Sequence, residues 1–148
     1  MSPTMTPAER EQFLADLHVG VISIAEEGRG PLTVPIWYGY TPGGELYVWM
    51  SKKSRKAGVI ERAGRFSLCV QNEQPPYQYV SVEGPVTVIE PADLERDARP
   101  LARRYFGVEG GDAYIAEIAN DNEDYIVIRM RPERWLTADY TPERSATA

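Results

Sequence analysis

The chain has 148 residues, of which 16 are basic and 22 acidic, giving a net charge of −6; 43% of the residues are hydrophobic. That length supports one core of ordinary size, no apolar run reaches the roughly 20 residues that cross a bilayer, and the acidic balance argues against nucleic acid and anionic membrane as partners. A single cysteine, Cys69, and a single histidine, His18, exclude an internal disulfide and a multi-histidine metal centre. Cys69 falls in an apolar run and reads as a core residue, and the polar N-terminal stretch does not read as a signal peptide, so a reducing cytoplasm is the expected setting.

In chain order, Thr6-Pro7-Ala8-Glu9 reads as a capping box with proline in the first helical turn, opening a helix over Pro7 to Leu17. Val19 to Ala25 is a β-branched strand, and 26–30 is a turn. A second strand, Leu32 to Tyr40, carries Pro35, which marks an edge or an interruption. Pro42-Gly43-Gly44 turns the chain into a third strand, Glu45 to Met50. A short helix over Arg55 to Ala63 ends at Gly64. Arg65 to Gln71 and Tyr77 to Glu90 are the fourth and fifth strands, with Val80, Val82, Val86 and Val88 on one face and a bulge or bend at Gly84-Pro85. Pro91 to Phe106 has a helical pattern that Pro100 is expected to kink or split, and a further short helix covers Asp112 to Ala119. Asp124 to Arg131 is the sixth strand, from which Arg134 to Tyr140 trails. The fold class is therefore mainly β with added α: an antiparallel six-stranded barrel, closed or nearly so, with peripheral helices. One domain is expected over 1–148, with its core at about 8–136 and a flexible tail over 137–148.

Against the acidic background one tight basic cluster stands out, Lys52-Lys53-Ser54-Arg55-Lys56, between a strand and a helix. Serine is a good N-cap there, the first helical N–H groups point outward unpaired, and the helix dipole favours an anion. Arginine grips two phosphate oxygens and lysine supplies point charge, so the turn suits a phosphomonoester. Ser54, Arg55 and Lys56 lead, with Lys52 beside them; Lys53 is free to face solvent. The acidic stretches, Glu90 to Asp97 and Asp112 to Asp124, fit no calcium-loop spacing and read as solvated helix faces.

The run over residues 45–57, E-L-Y-V-W-M-S-K-K-S-R-K-A, resembles the strand and phosphate-binding turn of the pyridoxamine 5′-phosphate oxidase-like split barrels, a superfamily that includes flavin and deazaflavin oxidoreductases. Val19-Gly20-Val21-Ile22-Ser23, Val34-Pro35-Ile36-Trp37-Tyr38 and Tyr79-Val80-Ser81-Val82-Glu83-Gly84 match family segments in the same order. The resemblance implies a split barrel, a homodimer, and two cofactor sites at its interface. The phosphate would lie on Ser54-Arg55-Lys56 and the ring system against Val34, Pro35, Ile36, Trp37, Trp49, Met50 and Ser51. Tyr79 stands where the oxidase itself carries a glutamine, and the oxidase's C-terminal substrate residues lack a convincing match, with Arg134 and Trp135 only remote counterparts. Oxidation of pyridoxamine phosphate is therefore not expected.

The resemblance leaves two cofactors, the deazaflavin F420 and FMN. F420 leads, because its acidic tail suits Lys52 and Lys53 at the rim. Such a cofactor carries the hydride chemistry, and the protein supplies position and electrostatics for a small unsaturated or planar substrate. Tyr38, Tyr40 and Tyr79 are the candidate proton donors. The alternatives are a non-catalytic protein of the same fold that binds or senses flavin, deazaflavin or haem, and a dimeric scaffold without cofactor.

Overall fold

The computed structural model describes residues 2–142. Helix α1 (Pro7–Ala15) starts with the capping box read from the sequence: Thr6 Oγ1 accepts from Glu9 N–H at 3.2 Å and Glu9 Oε1 accepts from Thr6 N–H at 2.9 Å. The helix stops at Ala15, two residues short of the expected Leu17, and leaves Leu17 exposed. Its terminal carbonyls are met from far along the chain. Tyr38 Oη donates to Leu14 O at 2.6 Å, and Arg104 donates to Ala15 O and Asp16 O at 2.9 and 2.6 Å. Those carbonyls would otherwise lack partners, as at every helix end.

The strands are β1 (Gly20–Ile24), β2 (Leu32–Ile36), β3 (Tyr38–Tyr40), β4 (Leu46–Ser51), β5 (Arg65–Asn72), β6 (Gln78–Pro91), β7 (Tyr125–Met130) and β8 (Arg134–Asp139), all paired antiparallel. Their order is β2-β1-β5-β6-β7-β4-β3, with β8 added beside β6. The two outermost strands, β2 and β3, are consecutive in the chain and joined by Trp37 alone. The expected strand over 32–40 is thus one interrupted strand that pairs β1 with its first half and β4 with its second. Counted so, six strands wrap into a split barrel. Pro35 sits in β2, whose outer edge has no strand neighbour, so its missing N–H leaves no ladder bond unmade.

The long strand β6 serves both sheets of the split barrel. Its first half pairs β5 on one side and β8 on the other; its second half pairs β7. The change falls at Gly84, where an added Cβ would lie 1.8 Å from Arg131 O. A bulge follows between Val86 and Val88, so Val88 comes opposite Arg129 and Ile89 opposite the buried Ile128. The four valines expected on one face are therefore divided, since an extra residue flips the alternation beyond it.

The core is filled from inside the barrel by Ile22, Ile24, Leu46, Val48, Leu68, Val82 and Ile128, and closed by Leu14 of α1 and Val59 and Ile60 of α2 (Arg55–Ala63). Each such aliphatic side chain contributes about 1.5–3 kcal/mol on burial. Helix α3 (Arg99–Ile118) follows a π-helical turn, Leu94–Ala98. Pro100 does not split it: it lies in the first turn, where a missing N–H costs nothing. The break comes at Gly107, with φ 80° and ψ 172°, and the halves fold back until Gly111 meets the Arg103 backbone. Asp112 then accepts from both Arg99 and Arg103 at 2.7–3.0 Å.

Two further expectations change. The trailing segment is strand β8, which takes in residues 137–139 of the expected tail; residues 143–148 of that expectation lie outside those described. Cys69 is not in the core. It is half-buried on the outward face of β5, opposite Val21 and Ser81, and partial burial raises its thiol pKa.

Candidate functional site

The basic turn links β4 to α2 and is held by its own backbone. Lys52 N–H donates to Asp124 O at 2.7 Å, and Ser54 N–H donates to Ser51 O at 3.0 Å. Ser54 is the N-cap as expected: its Oγ accepts from Ala57 N–H at 3.3 Å and donates to Ser51 O at 2.8 Å. The N–H groups of Arg55 and Lys56 open the helix, ahead of the first intrahelical bonds, and are the donors available to an anion. Lys52 and Lys53 are exposed and Lys56 is half-buried. Ser54 thus caps the helix that the flanking Lys52 and Lys56 border in the chain.

Arg55 is placed differently. Its guanidinium takes both oxygens of Glu26, at 2.9 and 2.7 Å, and so turns toward the β1–β2 turn. Ser51 is likewise engaged, donating to Glu123 Oε2 at 2.7 Å. Glu26, Glu123 and Asp124 ring the basic turn with acid. Only the chain's fold reveals this; in sequence Glu26 reads as a turn residue 29 positions from its partner.

The residues expected to face the ring system divide. Val34, Ile36 and Met50 point into the barrel with the core, so only their backbone is offered outward. Pro35 points outward, opposite Val21. Trp37 and Trp49 enter an aromatic cluster that the sequence did not assemble. Trp37 stacks on Tyr105 (4.9 Å between centroids, 6° between planes) and meets Phe106 edge-on at 4.9 Å. Trp49 lies 4.5 Å from Tyr125, and Tyr114 touches both tryptophans. The cluster is the seam between α3 and the outer side of β4, with Ala98, Ala102, Ile115 and Ile118 behind it. The Nε1 of Trp49 is buried in that seam without a hydrogen-bond partner.

Tyr79 is apart from these. It lies on the outward face of β6, opposite Gln71 of β5 and Ala138 of β8. On that face the row Pro35–Val21–Cys69–Ser81–Leu136 runs across five strands, with Val21 and Leu136 exposed. No single protomer brings Tyr79 to the basic turn.

The tyrosine hydroxyls are mostly committed. Burial raises the pKa of Tyr38, whose Oη bonds Leu14 O; burial likewise raises that of Tyr40, whose Oη bonds Glu11. His18 is held below its ordinary pKa by burial and stacks on Phe13 at 4.5 Å, a structural placement. Among the described residues no group of three or more His, Cys, Asp or Glu could hold a metal ion, and no helix is long and apolar enough to cross a membrane.

The family model described as pyridoxamine 5′-phosphate oxidase matches residues 6–139. The chain belongs to that family. Solved structures agree on the fold. The conserved hypothetical protein Rv2991 from Mycobacterium tuberculosis superposes with a TM-score of 0.75 at 23% identity, covering 94% of this chain and 88% of that one. A structure named F420 reductase gives 0.69 at 23% identity over 85% and 94%. An FAD-binding protein from Mesorhizobium loti gives 0.64 at 16% identity over 93% and 96%. No curated protein matches the chain. Within the pyridoxamine 5′-phosphate oxidase family, then, this chain has the split barrel, and its neighbours in fold include proteins named for deazaflavin and flavin.

Proposed function

We propose that the protein is an oxidoreductase that holds F420, or else FMN, with the cofactor phosphate on the Ser54–Lys56 turn. The observation that carries this is the Ser54-capped start of α2, which gathers Lys52, Lys53 and Lys56 around free helical N–H groups in a fold of this family. The neighbour named F420 reductase favours the deazaflavin. The bound cofactor would supply the hydride passed to a small unsaturated or planar substrate. The chain's part is to fix the phosphate, present Trp37 and Trp49 as a dry aromatic wall, and exclude water.

Pairing of two copies through the outward β2-β1-β5-β6-β8 face completes this reading. That face carries exposed Val21 and Leu136, and it holds Tyr79, a candidate residue that lies away from the turn within one protomer. A homodimer with cofactor at its interface follows.

A second reading is a carrier of the same cofactor, or of haem, without turnover. It draws on the committed hydroxyls of Tyr38 and Tyr40, which leave Tyr79 as the remaining proton-donor candidate. The two readings separate in one experiment. Purified protein is titrated with F420 and FMN, followed by fluorescence, and the reduced complex is then offered quinones and enones. Accelerated oxidation of the cofactor supports the enzyme; saturable binding with no acceleration by any acceptor supports the carrier; no binding of either cofactor overturns the enzyme and leaves the carrier reading to a parallel titration with haem.

A further inference from the structure

A cavity of about 490 Å³ opens at the other end of β4 from the basic turn. It lies between α1, the β3–β4 hairpin and the start of β8, with Arg10, Glu11, Tyr40, Glu45, Arg131 and Trp135 at its wall. The hairpin residues Gly43 to Glu45 precede β4 and Lys52 to Lys56 follow it, so six strand residues separate the two places, about 20 Å. The volume is within the range of small-molecule sites.

Four charged side chains line the cavity, and their commitments differ by sign. Glu11 Oε1 accepts from Gly43 N–H at 2.8 Å and from Tyr40 Oη at 3.2 Å. Glu45 accepts from Thr87 Oγ1. The arginines are not so engaged. Among the described residues Arg10 makes no side-chain hydrogen bond or ion pair; its guanidinium rests 4.5 Å over the Trp135 ring and its Nε is buried without a partner. Arg131 has only a loose contact with Glu133 at 3.9 Å and is 64% exposed. The two arginines therefore hold guanidinium N–H groups still to be satisfied, beside the remaining acceptor capacity of Glu11 and Glu45, and the charges on the wall sum to zero.

We propose that this cavity binds a small aromatic carboxylate, its carboxyl group shared by Arg10 and Arg131 and its ring against Trp135 and Tyr40. A guanidinium with free N–H groups matches a carboxylate in two-pronged geometry. On a wall whose charges sum to zero the affinity must come from the ring as well as the carboxyl group, and inorganic phosphate lacks the ring. Trp135 and Tyr40, edge-on at 6.4 Å, supply the apolar wall that such sites use beside a few polar anchors.

The test is a titration of the intact protein with benzoate, and separately with inorganic phosphate, followed by NMR of backbone amides and tryptophan indoles. The Trp135 indole is identified by its loss in Trp135→Phe. Saturable shifts at Trp135 and the Gly43–Gly44 amides, weakened about tenfold or more by Arg131→Gln and by Arg10→Gln, are the expected result. Arg131 is exposed, so Arg131→Gln keeps the fold and decides the matter if Arg10→Gln does not. Absence of a saturable shift, shifts confined to residues 52–56, affinity unchanged in Arg131→Gln, or tighter binding of phosphate than of benzoate would each overturn the proposal.

Discussion

The Arg55 guanidinium is held by both carboxylate oxygens of Glu26, so the arginine nearest the start of α2 is neutralised by the turn between β1 and β2. A cofactor phosphate on this helix must draw Arg55 away from Glu26 or bind without it. Glu26→Gln therefore tightens FMN or F420 binding severalfold, and Lys56→Ala weakens it about tenfold or more, read by fluorescence titration. Arg55→Ala has a second effect. The Glu26 side chain is only 13% exposed and loses its cation, while Arg55 is 49% exposed and its pair is screened by water; about 1 kcal/mol of stability is lost, and Glu26→Gln in the same chain restores it. Unchanged affinity in both Glu26→Gln and Lys56→Ala would remove the phosphate from this turn.

Tyr105 joins three elements through one hydroxyl, donating to His18 O at 2.6 Å and accepting from Tyr38 N–H at 3.2 Å, while its ring stacks on Trp37. Tyr105→Phe keeps the stack and orphans both backbone groups. The expected loss is about 1–3 kcal/mol in urea denaturation. A loss under 0.5 kcal/mol would show that water replaces the hydroxyl without cost.

Gly84 stands where β6 leaves one sheet for the other, and the atom an added Cβ would meet is a backbone oxygen, Arg131 O. No side-chain rotation relieves that contact. Gly84→Ala is expected to cost about 3 kcal/mol or more, against little for Gly30→Ala, whose Cβ would meet nothing within 4 Å. Equal midpoints for the two variants would contradict the close approach.

The α3 hairpin is pinned by Asp112 between Arg99 and Arg103, whose hydrogen bonds and charge hold its carboxyl down at about pKa 2. An unperturbed aspartate titrates near 3.9. The folded value is the lower one, so the stabilisation is present above pH 4 and is lost as the pH falls toward 2. Asp112→Asn lowers the melting temperature at pH 7, and the gap to the parent closes as the pH approaches 2. A gap that stays constant over that window would assign the effect to something other than the ion pair.

If two copies meet on the outward sheet face, Leu136→Arg places a charge at its exposed apolar edge. The variant is expected to run as a monomer in sedimentation and to melt below the parent only by what dimer formation contributes, because Leu136 is 66% exposed. A parent that is itself monomeric at high concentration would remove the dimer and the role of Tyr79 with it.

What the sequence determined on its own was local. The Thr6–Glu9 capping box, the Ser54 cap and the Gly64 stop at φ 71° each depend on backbone groups within three or four residues, and all are found where their residue types put them. The basic turn was legible for the same reason, because Ser54 and its lysines are neighbours in the chain. Only the tertiary structure decided which sheet edges meet. It set β2 and β3 in different ladders on either side of Trp37, added β8 beside β6, and removed the break expected at Pro100 while keeping one at Gly107, between the two helices read from the sequence. It also brought Glu26 to Arg55 and α3 to Trp37 and Trp49, while leaving Tyr79 on another face. Hydrophobic alternation states which side of a strand is buried and is silent on which strand lies next to it. The partners of a charged or aromatic side chain across 29 or more positions are fixed by that adjacency, and no spacing in the chain encodes it.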